Sequence, residues 1–235
     1  MDSRRRRRRL AACVLLPFAV TMSATGFVAA TPSMGQGLSP GGSASPEGEA
    51  PPADDDRAPT KTKLKSDRHV TAGKTVRLSG VVTPATDGQQ VIVHVPGHDE
   101  VARTGPGGRF SVSWTPSGPG EYSVQASVEG TDTTLASESK PVKVTVYRKA
   151  EASWYGPGLY GNGMACGGTL TTNTLGVAHK SLPCGTKLTL RYGGKSVEVE
   201  VVDRGPYVGN REFDLTSATR QRLGFPSTGT VLSSK

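Results

Sequence analysis

The chain has 235 residues, 20% of them charged, and a formal net charge of +8 that invites a nucleic-acid reading. Six consecutive arginines, Arg4 to Arg9, less Asp2 supply +5 of that charge and leave about +3 for the rest, so no nucleic-acid partner is expected. Three cysteines occur; beyond Cys13 near the start, Cys166 and Cys184 remain as an even pair, which excludes a four-ligand zinc site and implies one disulfide in an oxidising compartment.

The arginine run is followed by a stretch from Leu10 to Ala30 that is apolar apart from a few Ser, Thr and Gly. Basic then apolar is the order of an export signal, and Val28 and Ala30 suit the positions read before a cut after Ala30. Residues 1–30 are therefore predicted to be a signal peptide, which places the mature protein outside the membrane. An uncleaved anchor is the alternative, since the stretch is 21 residues long and a spanning helix needs about 20. Leu10-Ala11-Ala12-Cys13 resembles a lipoprotein box but precedes the apolar run, so lipidation is not expected. Residues 31–61 are rich in Pro, Gly, Ser and Ala, with the acidic cluster Asp54 to Asp56, and offer almost nothing to bury; they are predicted to be a disordered tether.

Over residues 62–148 the pattern changes to period two: Val76 and Leu78; Val91, Val93 and Val95; Phe110, Val112 and Trp114; Tyr122, Val124, Ala126 and Val128; Val142, Val144 and Val146. These are half-buried strands, separated by turn signals such as Pro96-Gly97 and Gly105-Pro106-Gly107-Gly108, and the spacing predicts an antiparallel β-sandwich of immunoglobulin-like type. His69, His94 and His98 have no ligand-spaced partners and read as ordinary surface or core residues. Wall or division proteins are conceivable partners of this region.

Residues 152–235 read as short strands among Gly-rich loops. Leu188 and Leu190 alternate with polar residues, Gly193-Gly194 turns the chain, and Val197, Val199 and Val201 alternate with Glu198 and Glu200, which predicts a hairpin with one wet face. A helix of about two turns should begin between Asp214 and Ser217 and stop at Gly224.

Four stretches in this region carry a resemblance: Ala152-Ser153-Trp154-Tyr155-Gly156; Gly176 through Thr186, reading GVAHKSLPCGT; Val202-Asp203-Arg204-Gly205-Pro206-Tyr207; and Phe213-Asp214-Leu215-Thr216. In this order they resemble the double-psi β-barrel domain of the rare lipoprotein A family, whose better-known members are lytic transglycosylases acting on peptidoglycan. The resemblance implies a six-stranded barrel with an open groove for a glycan strand, no cofactor, and Asp203 as the catalytic carboxylate. The fold class expected for the whole chain is thus all-β, a sandwich followed by a barrel with one short helix.

Asp203 has the parity of Val197, Val199 and Val201, so an unbroken strand would aim it toward the apolar interior at the barrel rim, where partial desolvation favours the protonated acid. Such an acid can protonate a glycosidic oxygen and, as a carboxylate, remove the proton of the attacking group. The family's attacking group is the sugar's own 6-hydroxyl. Alternatively, Asp203 is a turn residue of Asp-Arg-Gly-Pro. Asp214 matches an essential acid of the related expansins and family 45 endoglucanases, yet it also suits the N-cap of the predicted helix. His179 matches a groove histidine of the family and is the third candidate catalytic residue, its neutral imidazole donating to a glycan hydroxyl or to the carboxylate, with a structural hydrogen bond as the alternative. Tyr155 and Tyr207, as exposed rings offering a sugar face a flat apolar platform, join Arg204 and Asn173 as the expected substrate-binding set, while Trp154 reads as core.

The sequence also departs from its relatives. Many enzymatic members carry Thr-Ala-x-Gly-Glu-x-Phe-Asp before the histidine motif, and the aligned stretch here reads Met164-Ala165-Cys166-Gly167-Gly168-Thr169-Leu170-Thr171. Both acidic positions are lost, at Gly168 and Thr171. A noncatalytic or expansin-like wall-binding protein therefore stands beside the transglycosylase reading, and a secreted adhesion module beside both.

Overall fold

The computed structural model describes residues 55–235. The expected export signal and most of the expected tether lie outside them. The described chain forms β1 (Lys61–Ser66), β2 (His69–Thr71), β3 (Val76–Thr83), β4 (Gln90–Val95), β5 (His98–Arg103), β6 (Arg109–Trp114), β7 (Gly120–Val128), β8 (Ser137–Glu138), β9 (Val142–Tyr155), β10 (Gly176–His179), β11 (Lys187–Tyr192), β12 (Lys195–Asp203), β13 (Phe213–Thr216), α1 (Ser217–Leu223) and β14 (Gly229–Ser233).

The period-two residues of the first half point into one core between two sheets. One sheet is antiparallel β1-β3-β6; the other runs β5-β4-β7-β9, with β2 along the far side of β9 and β8 on β7. Leu78, Val93, Trp114, Val124, Val144 and Val146 are buried together. Each such side chain stabilises by about 1.5–3 kcal/mol on burial. Trp114 meets Tyr122 edge-on, ring centroids 5.3 Å apart. Pro96-Gly97 closes the β4–β5 hairpin with Gly97 at φ +93°, a conformation that favours glycine.

Strand β9 is 14 residues long and does not stop where the sandwich ends. Its first half pairs with β7 and β2; its second half pairs with β14 over Arg148–Ala152 and with β13 over Ala152–Tyr155. From there a six-stranded barrel closes on itself in the order β9-β13-β10-β12-β11-β14 and back to β9. Pairs β10–β12 and β13–β9 are parallel and the rest antiparallel. Its core gathers Val177, Leu188, Leu190, Val199, Val201, Phe213 and Leu215, with Leu223 of α1. The helix begins one residue after Thr216 and ends at Gly224, φ +67°, whose N–H caps the last carbonyls.

The β11–β12 hairpin turns at Gly193-Gly194, φ +54° and +85°, as the pattern predicts. Its outer face is not uniformly wet. Thr189 is buried because its hydroxyl donates to Glu121 of β7, so the barrel rests on the sandwich there. Lys143 of β9 pairs with the same Glu121 at 2.7 Å. Burial opposes the Glu121 carboxylate, but the hydrogen bonds from Lys143 and Thr189 outweigh it and hold the carboxyl below its ordinary value.

Candidate active site

Strand β10 sets the site. Val177 stands opposite Val201 of β12 and Leu215 of β13, and all three are in the barrel core. One residue on, Ala178 stands opposite Asp203 and Asp214, because the register with β12 slips by one residue between the two pairs. Val202 is thus the extra residue of a β-bulge, and bulges beside functional sites re-aim side chains. Simple alternation would turn Asp203 inward with Val201. The bulge instead turns it to the outer face, in a row running Asp203, Ala178, Asp214 and Ser153 across four strands. The strap that favours the bulge is non-local: Cys166 N–H donates to the Val202 carbonyl at 3.2 Å. Two strand spacings separate the aspartates, about 9–10 Å between Cα atoms.

The Asp203 Oδ1 accepts two backbone N–H groups, from Ala165 and from Arg204, each at 2.8 Å. No hydrogen bond of ordinary geometry reaches its Oδ2 among the described residues, although the Tyr155 hydroxyl lies close to the carboxylate. The carboxylate faces a groove of about 200 Å³ lined also by Tyr155, Leu159, Asn162, Met164 and Leu170. Tyr155 is no exposed platform: its hydroxyl is buried against the two aspartates and has no hydrogen-bond partner among the described residues. Burial first, then the charge and proximity of Asp203, push its phenol well above the ordinary tyrosine range.

Asp214 accepts a hydrogen bond from Ser153 Oγ at 2.7 Å. Burial pushes its carboxyl above the ordinary value and the neighbouring Asp203 charge pushes the same way, against Ser153 and Arg211. It does not cap the helix. The N-cap is Thr216, whose side chain accepts from Thr219 N–H, while Asp214 stays inside β13. The ordinary structural explanation of Asp214 is therefore removed, and a half-buried carboxyl facing a second one calls for a functional account.

His179 lies apart from this pair. It stands opposite Phe213, with ring centroids 5.1 Å apart, on the core side of the strand. Its Nδ1 accepts from the N–H groups of Ser181 and Leu182 at 3.1 and 2.9 Å, which leaves the ring proton on Nε2. Burial lowers its pKa and keeps the neutral form; the charges bearing on it are Glu212, Arg148, Arg204 and Lys180, not the two aspartates.

Arg204 braces the loop after β10, donating to the carbonyls of His179 and Leu182 at 3.2 and 2.9 Å and approaching Cys184 Sγ at 3.1 Å. Tyr207 is 77% exposed, with Val208 beside it at 68%, and offers the flat apolar face that Tyr155 does not. Asn173 sits in an exposed turn with Thr171 and Thr174, outside the Asp203 groove, and Gly168 likewise does not line it. Trp154 packs against the barrel core under the Arg220 guanidinium, 4.2 Å from the ring. Sequence reasoning missed Ser153 and the Ala165 N–H. Ser153 shares the period-two face of Tyr155 and was legible in principle; the Ala165 contact depends on loop closure.

That loop is closed by the disulfide Cys166–Cys184, Cα atoms 5.4 Å apart. It ties the segment carrying Ala165 to the segment that Arg204 braces. Among the described residues no group of three or more His, Cys, Asp or Glu side chains is placed to hold a metal.

Comparison with known proteins gives the same region a family. Residues 148–232 match a family model described as lytic transglycolase. A probable endolytic peptidoglycan transglycosylase RlpA of Synechocystis sp. is 44% identical over 80 residues, 33% of this chain and 25% of that protein. The endolytic peptidoglycan transglycosylases RlpA of Campylobacter jejuni and Neisseria meningitidis are 40% and 43% identical over 95 and 82 residues, covering 39% and 34% of this chain and 34% of each relative. The chain spans about a third or less of the length of these relatives. Residues 148–232, closed into a six-stranded barrel, thus match the lytic transglycolase family model and are similar to part of several RlpA transglycosylases.

Proposed function

We propose that the chain is an exported cell-wall protein whose barrel cleaves peptidoglycan glycan strands as a lytic transglycosylase, with Asp203 transferring the proton. The observation that carries this reading is the row of Asp203 and Asp214 on one outer face, with Asp203 opening onto a groove. Protonated Asp203 gives its proton to the glycosidic oxygen as the C1–O bond breaks. The 6-hydroxyl of the same sugar closes on C1, and its proton returns to the Asp203 carboxylate, so no water is consumed and the acid is regenerated. Backbone donors from Ala165 and Arg204 hold Oδ1 still and leave Oδ2 for the exchange. Asp214, when ionised, stabilises the positive charge that develops on the ring. Tyr207 supplies a sugar platform, while His179, on the core side of its strand, holds the loop after β10 through its Nδ1.

In the same reading residues 1–30 are an export signal removed after Ala30, 31–61 a tether, 62–148 an immunoglobulin-like module and 152–235 the working barrel. The positions Gly168 and Thr171, acidic in many enzymatic relatives, favour a second reading in which the barrel binds glycan without cutting it. Incubating the protein with purified peptidoglycan sacculi, intact or stripped of stem peptides, separates the two. Cleavage releases 1,6-anhydro-muropeptides or anhydro-glycans; binding with no such product supports the second reading.

A further inference from the structure

The largest groove among the described cavities lies far in sequence from the barrel site, on the sandwich. It measures about 770 Å³ and is lined by Lys63, Lys65, Arg77, Arg103 and Arg109, and no acidic residue lines it. None of these five cations belongs to an ion pair among the described residues. The sheet explains how four of them assemble, and Arg103 joins from the end of β5. In β1-β3-β6, Leu64, Leu78, Val82 and Phe110 turn inward to the core, and the alternate residues turn outward. Lys63 and Arg109 flank Val81 in one row, Lys65 shares the next with Ser79 and Ser111, and Arg77 stands in the third. Successive rows are about 7 Å apart along the strands, so the cations cover about 13 Å.

Gathering like charges on neighbouring strands destabilises a sheet. A merely solvated face mixes signs, whereas a concave face of one sign concentrates counter-ions and focuses the field. The row spacing exceeds the reach of one small anion and suits a chain carrying an anion at each repeat. Guanidinium forks and the hydroxyls of Ser79 and Ser111 are donors suited to phosphate oxygens.

We infer that this groove of the sandwich binds a linear polymer of repeating phosphodiesters, so that the chain holds an anionic wall polymer by one domain and glycan by the other. The binding itself does not depend on cleavage by the barrel; only the wall as the polymer's source rests on the export reading. The test is fluorescence anisotropy of the exported chain, freed of residues 1–30 and their six arginines, with fluorescein-labelled poly(glycerol phosphate). Binding should weaken steeply between about 50 and 200 mM salt. The triple variant Lys65→Gln, Arg77→Gln, Arg109→Gln should lose about tenfold or more in affinity and show a flatter salt dependence, while Lys187→Gln with Lys195→Gln on the barrel changes affinity less than about twofold. Trp114 fluorescence should show the triple variant melting no lower than the parent. No binding, or binding that the triple variant retains, overturns the inference. Tighter binding of single-stranded DNA of equal charge, or of sacculi freed of phosphate polymers, overturns the ligand class.

Discussion

The sandwich and the barrel are built from the same kind of residue pattern and put it to different use. In the sandwich, alternation runs along β4 and most of β3 and β7, and the inward residues join one core, although residues 144–147 of β9 are buried on both faces. In the barrel the strands are shorter, and alternation fails at two places that matter: the bulge at Val202 and the buried outer residue Thr189. Where the pattern runs clean, one face packs and the other stays open, as in the cationic groove of β1-β3-β6. Where it breaks, a loop or a neighbouring sheet has displaced it, and at one of the two breaks the carboxylates gather.

The comparison can be broken by asking whether the two regions stand alone. Strand β9 belongs to both, and each region has one tryptophan, Trp114 in the sandwich core and Trp154 against the barrel core. Phe213→Ala removes a fully buried ring from the barrel and should cost about 3–5 kcal/mol. If β9 couples the regions, Trp114 and Trp154, read separately in single-tryptophan variants, should report one shared denaturation midpoint that moves together. A midpoint that shifts for Trp154 and stays for Trp114 would show two independent units.

A smaller effect is expected from the disulfide, whose cysteines are separated by 18 in sequence. Reduction should destabilise by about 3 kcal/mol on the chain-entropy estimate. Because Ala165 precedes Cys166 and its N–H holds Asp203, reduction should also lower glycan cleavage before the barrel melts. Activity that follows the folded fraction alone would deny the loop a positioning role.

The smallest effect has a diagnostic sign. Burial, aided by the Asp203 charge, raises the Asp214 carboxyl above its ordinary 3.8, so the native state binds that proton more tightly than the unfolded chain. Between 3.8 and the raised value the native state carries more protons, and its stability therefore falls as pH rises through that window. Asp214→Asn removes the cost: its melting temperature should exceed the parent's at neutral pH, and the gain should vanish below about pH 3.8. A cap residue would give the opposite result, a loss at every pH where the carboxylate is charged.

Much of this molecule was legible in its sequence. The strands around Val91, Trp114 and Val144, the Gly193-Gly194 hairpin, the stop at Gly224 and the Cys166–Cys184 bridge depend on local pattern or on simple counting, and local pattern is what a sequence displays. The outward turn of Asp203 depends on Cys166 meeting the Val202 carbonyl, a contact across 36 residues. The capping of α1 by Thr216 in place of Asp214 was hidden by a two-residue shift of the boundary, since Asp is by type the better cap of the two. Tyr155 read as an exposed platform because motif neighbours do not reveal which face a loop will cover. The continuity of β9 through residues 148–152 was masked by a change of composition that has no counterpart in the strand itself.

The central claim is that Asp203 is the proton-transferring acid, and the most direct measurement is 1,6-anhydro product release from sacculi by Asp203→Asn beside the parent. The amide keeps the volume and can still accept from Ala165 and Arg204, so the melting temperature and sacculus binding should hold. Product release should fall by about a hundredfold to ten-thousandfold, the usual contribution of general acid–base catalysis. Release within a few-fold of the parent, at an unchanged melting temperature, would contradict the assignment and move the chemistry to Asp214.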